Sequence, residues 1–401
     1  MRSSHAHAHA HACRRRRRRS GSGLVLAISL LVAFAAHADD GTFSVSGYVH
    51  YDVRDFSETV GNPGESSEVR RVRPIFQYKS SSWSARLMPD LMRDTNQMLD
   101  AYVDITPDGP WDLRVGRFKS PLSLNRLQSA NALALMENSV VAAMTPNRDN
   151  GLLFGFDTAG EGHWRFEVGA FDGAADDEVR GSVDGDVEWT ARVLRTQPVV
   201  SGTLRFGVAG SGGERHGEIG DARLSRQRTA GRATWFRYVA PAHSDGDTDR
   251  VTAFADYHGG RWFAQAEAIR SRETVRSGTV RAELAHRGWE LQASRVLTGE
   301  DRGERGVTPG NLRVPGLDIP VAVELGLRVG EVRMDDDAFR LGLADPAGNG
   351  ERLRAAGVSL GLWFPRQWRV LVDYEHSRVR RPGEATDIHE KALMARVAIA
   401  F

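Results

Sequence analysis

Cysteine is almost missing from this chain. Its 401 residues hold one, Cys13, which lies in an N-terminal segment read below as a leader. The mature chain is therefore expected to form no disulfide, zinc–thiolate site or cysteine nucleophile. No cysteine follows the apolar run either, which argues against a lipid-anchored lipoprotein. Long hydrophobic runs are missing too: apart from Gly23–Ala36, nothing approaches the ~18–20 apolar residues a spanning helix needs. That excludes a helical membrane protein but not a transmembrane β barrel, in which only alternate residues meet lipid. Lysine is confined to Lys79, Lys119 and Lys391, so nearly all 53 basic residues are arginine. Enzyme signatures are missing as well: no G-x-S-x-G, no H-E-x-x-H, no phosphate-binding loop and no Cys cluster. His50, His163, His258 and His376 are hydrolase candidates by residue type alone, and strand ends or turns account for them.

The N-terminus reads as an export address. Arg14 to Arg19 form a basic region, Gly23 to Ala36 a short apolar one, and Ala36-His37-Ala38 an A-x-A site, with cleavage expected before Asp39. Twin-arginine export lacks the usual apolar pair after the arginines, so general secretion is favoured. The alternating His5, His7, His9 and His11 resemble low-complexity sequence and are assigned no metal. With the seven leader arginines removed, 46 basic residues face 52 acidic ones, a formal charge of −6. That mild acidity argues against nucleic acid as a partner.

From Thr42 to Phe401 the dominant signal is period-two alternation, the mark of strands. Phe43, Val45, Val49, Tyr51 and Val53 share one face; Ser44, Ser46, His50, Asp52 and Arg54 share the other. The same pattern recurs in Trp164/Phe166/Val168, Val251/Ala253/Ala255, Val321/Val323/Leu325 and Val358/Leu360/Leu362. A piece near 130–144 departs from it. The chain is all-β, and between 16 and 18 strands are placed, 16 being favoured; 228–238 is doubtful because it reads equally as loop.

Three features favour a barrel over a sandwich. Short turns at 80–82, 106–110, 159–163, 258–261, 286–288 and 365–367 alternate with long polar segments near 57–67, 172–186, 210–226 and 298–318. Such alternation is expected of tight periplasmic turns and longer external loops. Trp83, Trp111, Trp164, Trp262, Trp289 and Trp368 each follow a short turn, the arrangement of an aromatic girdle at one interface. Leu393, Val397, Ile399 and Phe401 share a face ending in a terminal aromatic, which resembles the C-terminal signal for assembly of outer-membrane barrels.

Two stretches are similar to a known family. Val69-Arg70-Arg71-Val72-Arg73-Pro74, followed by a Trp-led strand, resembles the second and third strands of the phosphate-selective porin O and P family. A denser block runs from Asp100-Ala101-Tyr102-Val103-Asp104 through Val115-Gly116-Arg117-Phe118-Lys119-Ser120-Pro121-Leu122 and Met136-Glu137-Asn138 to Pro146-Asn147-Arg148-Asp149-Asn150-Gly151. The family pattern there is D-A-Y, V-G-x-F-K-x-P, M-E and P-x-R-x-x-G. Gly361-Leu362-Trp363, Asp373-Tyr374 and the Arg396–Phe401 strand agree at the end. The resemblance implies a transmembrane antiparallel barrel of about 16 strands spanning 39–401, with a third loop, about 119–149, folded inward. It further implies a homotrimer in the outer membrane of a Gram-negative bacterium, inserted by the barrel assembly machinery and in contact with lipid bilayer and lipopolysaccharide. Within that loop Asn131–Met136 is apolar enough to pack on the inner wall.

A pore needs charge on its lumen face rather than a catalytic constellation. Arg71, Arg73, Arg86, Arg114, Arg165 and Arg192 fall on the polar register. Lys119, Arg117, Arg126 and Arg148 lie in or near the third loop, and Asp100 nearby. Arginine suits phosphate or carboxylate because its planar fork donates two bonds at once. The same arginines could instead be halves of lumen ion pairs with Asp100, Asp104, Asp112, Glu167 or Asp256. Phosphate-selecting members concentrate lysine at the constriction, where this chain has only Lys119. The expected function is passive diffusion of small anions such as phosphate or polyphosphate, without cofactor or metal. The alternatives are a general or sugar/carboxylate porin, a secreted periplasmic all-β binding protein or enzyme, and a barrel without an open channel.

Overall fold

In the computed structural model the described residues are 41–61, 66–92, 97–176 and 186–401. The leader and its cleavage site lie outside them. Sixteen strands form the wall: β1 Thr42–Glu58, β2 Ser67–Lys79, β3 Trp83–Asp90, β4 Gln97–Ile105, β5 Trp111–Phe118, β6 Asp149–Asp157, β7 His163–Phe171 and β8 Glu188–Val199. They continue as β9 Gly202–His216, β10 His243–Gly259, β11 Trp262–Ser277, β12 Val280–Val296, β13 Pro320–Arg333, β14 Arg352–Phe364, β15 Trp368–Arg380 and β16 Asp387–Ala400. Every neighbour is antiparallel. β16 closes on β1, from Tyr48↔Ala400 to Glu58↔Lys391, and the last residue joins the seam, Phe401 and Gly47 exchanging backbone bonds of 2.9 and 3.0 Å. Closure leaves no sheet edge, which lipid requires because it offers no hydrogen bonds to unpaired backbone.

The alternation read from sequence decides the two surfaces. On β10, Arg250, Thr252, Phe254 and Asp256 are buried in the interior while Val251 is exposed outward. Outward Phe154, Phe166, Val208, Leu291, Leu327, Leu360, Val372 and Leu393 are likewise exposed and make the apolar band that meets lipid. Three hairpins turn in two residues, Val200-Ser201, Gly260-Arg261 and Gly278-Thr279. The two glycines take left-handed φ, +48° and +60°, as the primed turns favoured in such hairpins require at the first position.

Several boundaries differ from the sequence reading. The turn expected at 286–288 does not exist: β12 runs unbroken through His286 and Gly288, and the chain reverses at Gly278-Thr279. Arg281, Glu283, Arg287 and Trp289 all point outward on that long strand, so its polar top reads as a connection. The segment 298–318, expected among the long external loops, follows β12 and so lies at the end of the short turns. Residues 228–238 are not wall; Arg226–Arg228 and Thr234–Arg237 form a small hairpin inside the loop between β9 and β10.

Candidate functional site

Two chain segments fill the barrel from opposite ends. Residues 119–148, joining β5 to β6, fold inward from the long-loop end, with a helical turn at Leu124–Leu127 capped by the Ser123 side chain. The segment packs on β8–β16. Leu122 and Leu124 meet Leu194, Ala209 and Phe254; Leu135 meets Phe263; Val140, Val141 and Met144 join Ile269, Val332 and Leu353. The far wall also satisfies its backbone: Ser359 Oγ donates to Ala134 O at 2.8 Å, Arg328 to Glu137 O at 2.8 Å, and Asp373 accepts from the Met136 N–H. The inward fold expected of Asn131–Met136 is therefore present, as irregular chain rather than helix. From the other end, residues 297–319 bring Arg302 to Glu324 and to Ala132 O, and Val307 against Trp363.

Open space lies on one side of the barrel. A cavity of about 1280 Å³ runs along β1–β5, between that wall, the 119–148 segment and the hairpin of the 217–242 loop. Among the described residues its border carries twelve basic side chains: Arg70, Arg71, Arg73, Arg86, Arg114, Lys119, Arg126, Arg148, Arg226, Arg228, Arg232 and Arg305. Against them stand four acidic ones, Glu68, Asp100, Glu137 and Asp176.

Many of these charges are anchored. Arg73 grips Asp90 at 2.8 Å and Tyr48 at 3.0 Å; Asp100 lies between Arg86, 3.2 Å away, and Arg148, 3.1 Å away. Arg114 holds Asp104 at 2.6 Å with its guanidinium 4.4 Å from the Tyr102 ring centre. Glu137 is ringed by Arg71 at 2.9 Å, Arg396 at 2.8 Å and Arg70 at 3.3 Å. Burial opposes its charge, but those guanidinium groups outweigh that and hold its carboxyl well below the usual range. Lys119 donates to Gln128 O at 2.7 Å and Leu127 O at 3.3 Å. Burial first, then Arg148, push its ammonium well below the ordinary lysine range. Arg126 donates to Ala142 O and Thr145 O, bracing the loop on itself.

Three of the arginines expected on the pathway lie elsewhere. Arg165 is held by Asp112 at 2.8 Å and Glu167 at 2.9 Å, and Arg192 also pairs with Glu167; both are inward but remote from the cavity. Arg117 faces outward, correcting its placement on the pathway. It opposes outward Ala101 and donates to Asn150 Oδ1 at 2.8 Å. Strand parity contains this answer, since Arg114 and Arg117 are three apart and cannot share a face. Conversely, Arg226, Arg228, Arg232 and Arg305 escape a reading of the sequence because they sit on loops, where no register applies. Arg226 and Arg305 make no ion pair with any described residue.

The tryptophans divide similarly. Trp83, Trp111, Trp164, Trp262 and Trp368 stand at or beside the first residue of strands leaving the turn end. Trp289 does not: it is outward but mid-strand, opposite Ala268 and Glu331. At the exposed rim Asp186, Glu214 and His216 bring potential ligand atoms within 4.8 Å, away from the cavity.

A family profile described as phosphate-selective porin O and P matches residues 43–401. No curated protein matches the sequence. Among solved structures the chain is similar to the outer membrane channel DcaP of Acinetobacter baumannii, with 13% identity and a TM-score of 0.57 over 90% of this chain and 98% of that one. OprB of Pseudomonas putida gives 10% identity and 0.54 over 93% and 96%. An anion-selective porin from Comamonas acidovorans gives 11% and 0.50 over 90% and 100%. These likenesses concern the fold.

Proposed function

The chain belongs to the phosphate-selective porin O and P family, and from that premise we propose that it is an outer-membrane anion channel whose solutes cross by passive diffusion along the β1–β5 side of the lumen, with phosphate and related oxyanions among them. The observation that carries this reading is the border of the open cavity, twelve basic side chains against four acidic. In water each guanidinium biases the local potential by about 1 kcal/mol at 4 Å. A dozen along one wall favour anions over cations even after pairing removes much of the effect.

Pairing also explains turnover. Arg73, Arg86, Arg114 and Arg148 already satisfy carboxylates, so a passing anion finds only part of each fork and is released. A single unpaired pocket would trap it, whereas conduction needs several weak sites. In this proposal Lys119, Arg126 and Arg148 shape the constriction, Asp100 fixes two of its arginines, and Arg226 and Arg305, which have no ion pair among the described residues, act as accessible cations. Residues 1–38 are proposed to be removed after export, and a homotrimer is the proposed assembly, inserted by the barrel machinery through the Phe401 signal. A general or carboxylate porin is the second reading; the scarcity of lysine and the carboxylates of Asp100 and Glu137 inside the pathway favour it over strict phosphate selection.

The test is reversal potential in planar bilayers under gradients of potassium chloride and potassium phosphate. Anion-selective potentials in both salts are expected. Cation selectivity sinks the proposal, and chloride-only conduction removes phosphate from it.

A further inference from the structure

The outer surface carries a charged row that the permeation pathway does not use. Arg270, Arg287, Arg333, Arg352 and Arg380, one on each strand from β11 to β15, are successive cross-strand partners. All five take the outward register, in phase with exposed Leu291, Val329, Leu360 and Val372 on the same strands. Strands lie ~4.8 Å apart, so the row extends about 19 Å. Like charges directly opposite one another destabilise a ladder, yet the face supplies few counter-charges. Glu331 holds Arg333 together with Arg354, and Asp387 holds Arg380. The side chains of Arg270, Arg287 and Arg352 make no hydrogen bond or ion pair with any described residue.

Height decides what meets the row. Trp262 starts β11 at the turn end, eight residues before Arg270; at ~3.3 Å per residue and a tilt of ~40–45° that is roughly 20 Å. By the same measure Arg380, twelve residues after Trp368, stands roughly 29 Å up, so against an apolar band ~25 Å tall the row climbs across its upper edge, on the long-loop, external side. Next below it on the outward register come Ala268, Trp289, Glu331, Arg354 and Arg378, and the apolar Leu291, Val329, Leu360 and Val372 follow further down the same strands. We infer that the row is a binding site for the phosphate groups of a bis-phosphorylated glycolipid of the outer leaflet, its acyl chains lying on the Leu291, Val329, Leu360 and Val372 surface. Two phosphates at opposite ends of a disaccharide suit a line of cations better than a point, and the arginine fork binds phosphate through two parallel bonds.

The full chain, expressed in the outer membrane of a Gram-negative host, is extracted in mild detergent and delipidated. It is then titrated with the bis-phosphorylated glycolipid and with the same glycolipid lacking phosphate, read by native mass spectrometry. Wild type binds the phosphorylated form in preference. Arg270→Gln with Arg287→Gln and Arg352→Gln weakens that binding by about a hundredfold, since each arginine near an anionic surface contributes close to a factor of five or more. The corresponding triple lysine variant retains most of it. Single-channel conductance stays the same in all three proteins because none of these side chains faces the lumen, which shows that the variants fold. Equal binding of both glycolipids by wild type, or unchanged binding by the glutamine variant, overturns the inference. Loss of oligomer in that variant with glycolipid binding intact also overturns it, assigning the row to a second copy of the chain.

Discussion

Along β1–β5 the inward arginines border open water, whereas along β10–β15 an equally charged wall lies sealed beneath the 119–148 segment. The sealed side is rich in acid: Glu267, Glu290, Glu324, Asp373 and Glu375 are all buried. Their partners are Ser123 and the Met136 N–H on the loop, Arg302 on the 297–319 segment, and Arg328 and Trp363 on the wall. A barrel cross-section thus holds both signs, and the loop determines which of them a solute meets. The formal charge of −6 describes neither side.

Exposing the sealed side is the largest perturbation. Replacing 122–146 by a short Gly-Ser linker is expected to raise single-channel conductance severalfold and to move the reversal potential toward cations, because the carboxylates of β10–β15 become accessible. If selectivity stays anionic, the asymmetry does not arise from the loop.

Glu137→Gln attacks the same boundary with one atom. Removing one partner from a buried charge cluster costs roughly 3 kcal/mol, here leaving Arg71 without its carboxylate and Arg396 with Asp52 alone. Noisier open-channel current and a lowered thermal transition are expected; quiet current at the wild-type level counts against the clamp. Since Glu137 titrates below the usual carboxylate range, this contribution is present at neutral pH and lost only in strong acid, as pH falls through the lowered value.

Within the open side, Arg226→Glu with Arg305→Glu reverses the two unpaired cations. At about 1 kcal/mol in an aqueous lumen the chloride-to-potassium permeability ratio falls about fivefold for each. A ratio equal to wild type shows that the anchored arginines alone carry the preference.

Titration of Lys119 gives a smaller change. Its lowered affinity for a proton means that the charge is lost as pH rises, at lower pH than an ordinary lysine near 10.5. Anion preference measured against pH should decline as pH rises, earlier than an ordinary lysine would allow, and Lys119→Met should abolish that decline. Smallest of all, Arg165→Gln and Arg192→Gln leave selectivity within error, since both are neutralised away from the cavity; a clear loss extends the pathway to β7 and β8.

What can be read from sequence follows the physics of each segment. In strands, a period of two sets the face of every side chain, so the wall strands and the inward arginines Arg71, Arg73, Arg86 and Arg114 are legible. Arg117 is misplaced on the pathway although its odd spacing from Arg114 gives the answer. On β12, outward charges at the membrane edge imitate a turn, which conceals the continuous strand around Trp289 and puts 298–318 at the wrong end. Arg226, Arg228, Arg232 and Arg305 have no strand phase at all. Only the packed path of their loops determines where they point.

The seam between first and last strands has a further consequence, for the order of events in folding. Arg396 on β16 reaches Asp52 on β1, 344 positions earlier, and clasps Glu137 of the inward segment. Contacts of such separation form late, because the whole intervening chain must be gathered first. A barrel arrested one hairpin short of closure lacks part of the clamp on the segment that covers its acidic wall. Cylinder completion and ionic preference are therefore reached in a single terminal step, so half-built intermediates ought not to conduct like the finished pore.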